Sequence, residues 1–170
     1  MYKYGEVITY SIVDDDDYEY LNMNQWHLFD QTKRKGTHTV YAVRYSRVNG
    51  KRKAIFMHRE ILLRANIKLN ITDHINQNGL DNQKHNLRSC TQRENTLNQR
   101  TFFNKYKGVW YDKKRGKWQA KIWLNRKGIH LGRFNTEIEA AVAYNAKAVE
   151  IYGEYACLNK IAENKVLQCV

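Results

Sequence analysis

Ile71-Thr72-Asp73-His74-Ile75, then Asn78-Gly79, then Asn86-Leu87-Arg88-Ser89-Cys90-Thr91-Gln92-Arg93-Glu94-Asn95 is the stretch that decides how this chain reads. Its first five residues are mostly β-branched or apolar and predict a short strand, and Asn78-Gly79 predicts a turn. Residues 86–90 predict a returning strand. Thr91 followed by Glu94 is a capping box, in which the hydroxyl and the carboxylate each satisfy a backbone N–H at a helix start. A helix is therefore predicted from about Gln92. The order over about 67–100 is strand, loop, strand, helix, with Asp73 and His74 closing the first strand and Asn95 in or just past the first helical turn.

That set of side chains suits hydrolysis of a phosphodiester. A water must give a proton to a base, a cation must absorb charge on the phosphate, and the leaving 3′-oxygen must be stabilised. His74 at a strand end can be the base. Asp73 and Asn95 offer oxygen donors for one hard ion, Mg²⁺ or Mn²⁺, and leave most of its shell open to phosphate and water. Asn86 both donates and accepts, and is expected to pin the loop and fix the imidazole's orientation. Asp-His pairs and asparagines are common, so spacing alone leaves structural roles open. Arg88 and Arg93 are candidate phosphate contacts, with solvated side chains as the alternative, and Arg59 is a candidate phosphate contact with a structural role at the start of a helix as the alternative. His58 is open between support of the site and a structural role.

Upstream, residues 6–13 are β-branched and aromatic and predict a strand. The acids at 14–17 sit where a short helix would begin, and capping with solubility is preferred over metal binding. Residues 39–45 and 53–57 flank Asn49-Gly50, a type I′ hairpin signal, and a short helix is expected over 59–64. With Met57-His58-Arg59-Glu60-Ile61, Asp73-His74-Ile75-Asn76, Asp81-Asn82, Asn86-Leu87-Arg88, Thr91 and Glu94-Asn95 in that order, the run from about 1 to 100 closely resembles the HNH endonucleases of phages and mobile introns. The resemblance implies a ββα-metal nuclease core, with His74 as general base, Asp73 and Asn95 as ligands of a single metal ion, and Asn86 as the middle Asn that holds the motif together. Asn stands where the family name's last His would be.

Between residues 105 and 133 there are ten bases and one acid, Asp112, interleaved with Trp110, Trp118 and Trp123. Strands are predicted at 107–111, 117–124 and 128–134, with turns at Arg115-Gly116 and Lys127-Gly128. A second capping box, Thr136 with Glu139, opens a helix to about Tyr152 that Gly153 ends. Ile138, Ala141, Val142, Ala146, Val149 and Tyr152 are expected to be its packing face. Alternation puts Lys117, Gln119, Lys121 and Trp123 on one sheet face, and Trp118, Ala120, Ile122 and Leu124 on the helix side. The first face suits a major groove. With Tyr106-Lys107-Gly108-Val109, Trp118-Gln119-Ala120-Lys121-Ile122, Leu131-Gly132-Arg133-Phe134, Glu139-Ala140-Ala141, Ala143-Tyr144 and residues 153–159, the stretch is similar to the Apetala/ethylene-response-factor type of DNA-binding domain. That resemblance implies groove-facing positions at Lys107, Trp110, Lys121, Trp123 and His130, with Lys113 and Arg115 in the intervening turn.

Composition agrees. The 170 residues carry 29 Lys+Arg against 17 Asp+Glu, a net charge of +12. Residues 1–30 hold one base against seven acids, so the positive excess belongs to the rest, and duplex DNA is the expected partner. No apolar run could span a bilayer and no signal peptide is recognised, so a soluble cytoplasmic protein is expected, in the host cytoplasm if phage-encoded, with no membrane partner and no small-molecule substrate. No segment declares a dimer interface. Cys90, Cys157 and Cys169 form no C-x-x-C and are expected to be plain thiols. The expected architecture is α+β: a β-rich segment and ββα-metal core in a nuclease domain over 1–100, then a three-stranded antiparallel sheet on one helix over 104–160. The expected function is a site-directed, homing-type DNA endonuclease that leaves 5′-phosphate and 3′-hydroxyl ends. The alternatives are a non-catalytic DNA-binding regulator on a nuclease-like scaffold and, third, an RNA binder.

Overall fold

The structure, a computed structural model, describes residues 9–31, 39–68, 70–101 and 104–161, and the backbone of 2–3 and 6–7. The chain divides into two compact units, Met1–Thr96 and Leu97–Val170. No described helix is long and apolar enough to cross a membrane.

In the first unit, β1 (Tyr2–Lys3) and β2 (Glu6–Val7) form a two-residue antiparallel pair. The longer strand expected over 6–13 does not form, and Ile8 lies outside the described residues. Ser11 and Ile12 instead join a later loop: Ile12 N–H donates to Leu80 O at 2.8 Å, and Asn82 N–H donates to Ile12 O at 2.8 Å. This is a single parallel bridge, Ile12 with Asp81. A loop offers one such bridge where a strand would offer a ladder. Helix α1 (Asp15–Asn22) starts at the acids. Strands β3 (His27–Asp30), β4 (Val40–Val48) and β5 (Lys51–Phe56) make an antiparallel sheet in that order. Asn49 and Gly50 both have positive φ, 52° and 75°, as a type I′ turn demands.

Helix α2 (Met57–Arg64) follows without a break and buries Met57, Ile61 and Leu62. These pack with Leu21, Trp26, Ala42 and Leu87 as the core. Each such large apolar side chain contributes ~1.5–3 kcal/mol on full burial. Strands β6 (Ile71–His74) and β7 (Leu87–Cys90) pair antiparallel, Asp73 opposite Arg88 and His74 opposite Leu87. Helix α3 (Gln92–Leu97) begins at the expected box: Glu94 N–H donates to Thr91 Oγ1 at 3.2 Å, and Thr91 N–H donates to Glu94 Oε2 at 2.7 Å. The loop between β6 and β7 lies close on β4. A Cβ on Gly79 would stand 2.3 Å from Val40 O, so only glycine fits there.

In the second unit, β8 (Val109–Asp112), β9 (Lys117–Leu124) and β10 (Lys127–Phe134) form an antiparallel sheet with β9 central, packed on α4 (Glu137–Tyr152). Thr136 and Glu139 cap α4 as read, and Gly153 ends it with φ 55°. Two expectations are corrected. The β9–β10 turn is Asn125-Arg126, both at positive φ, while Lys127 and Gly128 already pair with Leu124 and Trp123. Of the expected packing face of α4, Ala141 is buried and Tyr152 packs on the core, but Ile138, Val142 and Val149 are 40–52% exposed, and Ala140, Tyr144 and Ala148 complete the buried face. Alanines let the helix axis approach the sheet; the bulkier β-branched residues point to solvent. Along β10 the ladder slips between His130 and Gly132, a β-bulge that reverses simple alternation.

Candidate functional site

In the first unit the end of β6 carries Asp73 and His74, both buried. Arg88, directly across the ladder, donates from Nε and Nη2 to Asp73 Oδ2 at 2.9 and 2.8 Å. This ion pair is itself largely buried. The imidazole of His74 sits among aromatic rings: its centroid is 5.0 Å from that of His58 and 5.8 Å from that of Tyr41. Burial holds His74 below the usual histidine range, against the opposing pull of its Asn82 hydrogen bond and of Asp73 and Asp81. Burial thus favours the neutral imidazole at His74. Its neighbour His58 is pushed down to about 3 by burial, then by His74 and Arg59, and its buried Nδ1 has no hydrogen-bond partner.

Asn86 pins the loop, as read. Its Oδ1 accepts from Asn76 N–H at 2.9 Å, and its Nδ2 donates to Asp81 O at 2.7 Å and Asn76 Oδ1 at 3.0 Å. The expectation that it also orients the imidazole is corrected, because those bonds commit both ends of its amide to the loop. The partner of His74 Nε2 is Asn82 Oδ1, at 3.1 Å. Asn95 lies in α3, its N–H donating to Thr91 O at 3.0 Å. Burial raises the pKa of the Cys90 thiol at the end of β7, the charge of Asp73 adds to the rise, and Arg88 opposes it. Arg59 and Arg93 are exposed on α2 and α3, unlike Arg88.

The acids at 14–17 do more than start a helix. Asp14 occupies the N-cap without a side-chain cap bond. Its Oδ2 accepts from the backbone N–H of Lys84 at 2.7 Å, and the Lys84 ammonium lies 2.6 Å from Asp16 and 2.9 Å from Asp17. The carboxylates of Asp14, Asp16 and Asp17 gather within 4.8 Å of one another. Lys84 answers their charge, and the group ties α1 to the loop that carries Asn82 and Asn86.

In the second unit the sheet face away from α4 carries Gln119, Lys121 and Trp123 from β9, in register with Trp110 on β8 and His130 on β10. Trp123 is 59% exposed, and the Lys121 ammonium lies 4.3 Å above its ring. Gln119 bridges the face, donating to Asp112 Oδ2 at 2.6 Å and lying 3.1 Å from His130 Nε2. Lys113 and Arg115 are exposed in the β8–β9 turn, Arg115 3.2 Å from Asp112. Arg133 joins this face by pairing with Gln119, which strict alternation from His130 would forbid. The glycine inside the strand, Gly132 at φ 138°, was the available signal for the bulge. Lys107 departs from its expected place: its half-buried ammonium donates to Leu97 O at 2.7 Å and Gln99 O at 2.6 Å, and burial lowers its pKa.

No family model matches the chain. It is 40% identical over 91 residues, 52% of this chain and 46% of the relative, to an uncharacterized HNH endonuclease of Acanthamoeba polyphaga mimivirus. Over 58 residues, 33% of this chain and 14% of the relative, it is 40% identical to an ethylene-responsive transcription factor of Arabidopsis thaliana. Over 56 residues, 33% of this chain and 12% of the relative, it is 38% identical to an AP2-like ethylene-responsive transcription factor of the same plant. The chain spans about half the length of the viral relative and a small part of the two plant proteins. The chain is thus similar over part of its length to an HNH endonuclease and over part to AP2-type transcription factors.

Proposed function

We propose that this chain is a metal-dependent endonuclease of duplex DNA, site-directed in the homing manner, whose first unit cuts and whose second unit grips the substrate. The observation that supports it most is the neutral, buried His74 beside a buried carboxylate on one strand end, with the similarity to an HNH endonuclease behind it. His74 takes the proton of the attacking water. Asp73, oriented by Arg88, and the Asn95 amide form an all-oxygen donor set of the kind that holds Mg²⁺ or Mn²⁺. An ion bound there supplies Lewis-acid stabilisation to the phosphate and the leaving 3′-oxygen. Asn86 keeps the loop, and so the strand end, in place. With the Arg88 guanidinium engaged on Asp73, the exposed Arg59 and Arg93 are left for flanking phosphates. The products carry 5′-phosphate and 3′-hydroxyl ends.

On the second unit, Lys121, Trp123, His130 and Arg133, with Trp110, Lys113 and Arg115, form the DNA-facing surface. Contact with ~5 phosphates gives log affinity a slope of roughly −4 to −5 against log salt. The test is supercoiled plasmid with Mg²⁺ or Mn²⁺, beside a His74→Ala control. Nicking by the wild type alone is expected; equal cutting by both removes His74 from its role. The buried Arg88–Asp73 pair favours a second reading, a non-catalytic DNA binder in which Asp73 is structural. Tight DNA binding without cleavage at any divalent ion would establish it.

A further inference from the structure

Asn82 is fully buried, and each polar atom of its side chain has one partner of fixed chemistry. The Ser11 hydroxyl donates its single proton to Leu80 O at 2.9 Å, a carbonyl that can only accept. Ser11 Oγ must then accept from Asn82, whose Nδ2 lies 2.7 Å away. That sets the amide so that Oδ1 faces His74 Nε2 at 3.1 Å. An amide oxygen only accepts, so Nε2 carries the ring proton. Flipping the amide would set its oxygen against a Ser11 oxygen whose proton is already given to Leu80 O. The backbone holds the relay at both ends, through Ile12 N–H on Leu80 O and Asn82 N–H on Ile12 O.

We propose that Asn82, locked by Ser11, is a positioning residue that fixes the tautomer and ring orientation of His74. This rests on the reading of His74 as the general base. A neutral imidazole has one basic nitrogen, and a base whose proton sits on the wrong nitrogen cannot take another from water. The relay also explains why a segment 71 residues from Asn82 in sequence is built against the loop. Residues 11–17 grip it twice: Ser11 and Ile12 hold residues 80–82, and Asp14, Asp16 and Asp17 hold Lys84.

The test is the long-range ¹H–¹⁵N spectrum of the histidine rings in the full chain, with the His74 signals assigned by their loss in His74→Ala. The wild type is expected to show the Nε2–H tautomer. Asn82→Ala is expected to give a mixture of tautomers and roughly 10–100-fold slower single-turnover nicking of plasmid DNA, with DNA affinity unchanged. Ser11→Ala moves the same signals less. An Nδ1–H tautomer in the wild type, which needs no variant to fold, overturns the proposal, as does an unmoved tautomer in Asn82→Ala. The spectrum reads independently of cleavage. A wild type that never nicks DNA sinks the nuclease reading, while the signals still decide whether Asn82 sets the ring.

Discussion

His74 is 5% exposed and is tied through buried Asn82 to half-buried Ser11, whereas Trp123 is 59% exposed and owes its position to strand alternation. The first unit assembles its polar site from segments far apart in the chain, 8 to 71 residues between partners. The second builds its surface from two consecutive hairpins. Chemistry on a proton needs a fixed ring in a dry place, which demands enclosure from several directions. Gripping a polyanion needs only charge and flat rings held outward.

Separating the two tasks is the strongest way to break that contrast. His74→Ala is expected to slow cleavage ~10²–10⁴-fold while leaving DNA affinity and its salt dependence unchanged, measured by nicking and fluorescence anisotropy. Loss of affinity alongside activity would mean the units do not divide the work.

The enclosure of the first site carries its own pH signature. His58 has a folded pKa of about 3, so between roughly pH 6.5 and 3 the unfolded chain binds the proton and the folded one does not. The stabilisation is complete above pH 6.5 and lost as pH falls toward 3, on the order of a few kcal/mol. Denaturant unfolding across that window should show it, and His58→Phe should flatten the slope. In the second unit, Ala148→Leu is expected to cost ~1–3 kcal/mol by overpacking the close helix–sheet contact, while Val142→Ala on the solvent side changes stability by no more than about 0.5 kcal/mol. Equal effects would restore the β-branched face as the packed one. The smallest expected change is at the surface: Lys121→Ala should reduce the salt slope of DNA binding by about 1, with single-turnover cleavage at saturating DNA unaffected.

What could be read from the chain follows the same contrast. The Asn49-Gly50 turn, both capping boxes and the inward and outward faces of β9 are set by neighbours in sequence, and local rules reached them. The α4 packing face was misjudged because apolar spacing ignores size: several alanines and one tyrosine fit under the helix where Val142 and Val149 would hold it off. Arg133 was missed because one bulge at Gly132 inverts the parity of β10. Strand β3 has four residues and no turn signal of its own. The role of Ser11 and Asn82 had no local trace, since a polar relay between segments 71 residues apart leaves no periodicity behind. The acids at 14–17 were read as a helix cap, but Asp14 makes no side-chain cap bond, and their partner, Lys84, lies in the loop that carries Asn82 and Asn86 rather than in their own helix.

Whether Asp73 and Asn95 hold one divalent ion together is read most directly by Mn²⁺ binding to the DNA-free protein, followed by electron paramagnetic resonance. One bound ion per chain is expected, with binding sharply weakened by Asp73→Ala and by Asn95→Ala and unchanged by Asp16→Ala, which removes an acid from the cluster on α1. Binding that survives both of the first two substitutions, or that disappears with Asp16→Ala, would contradict it.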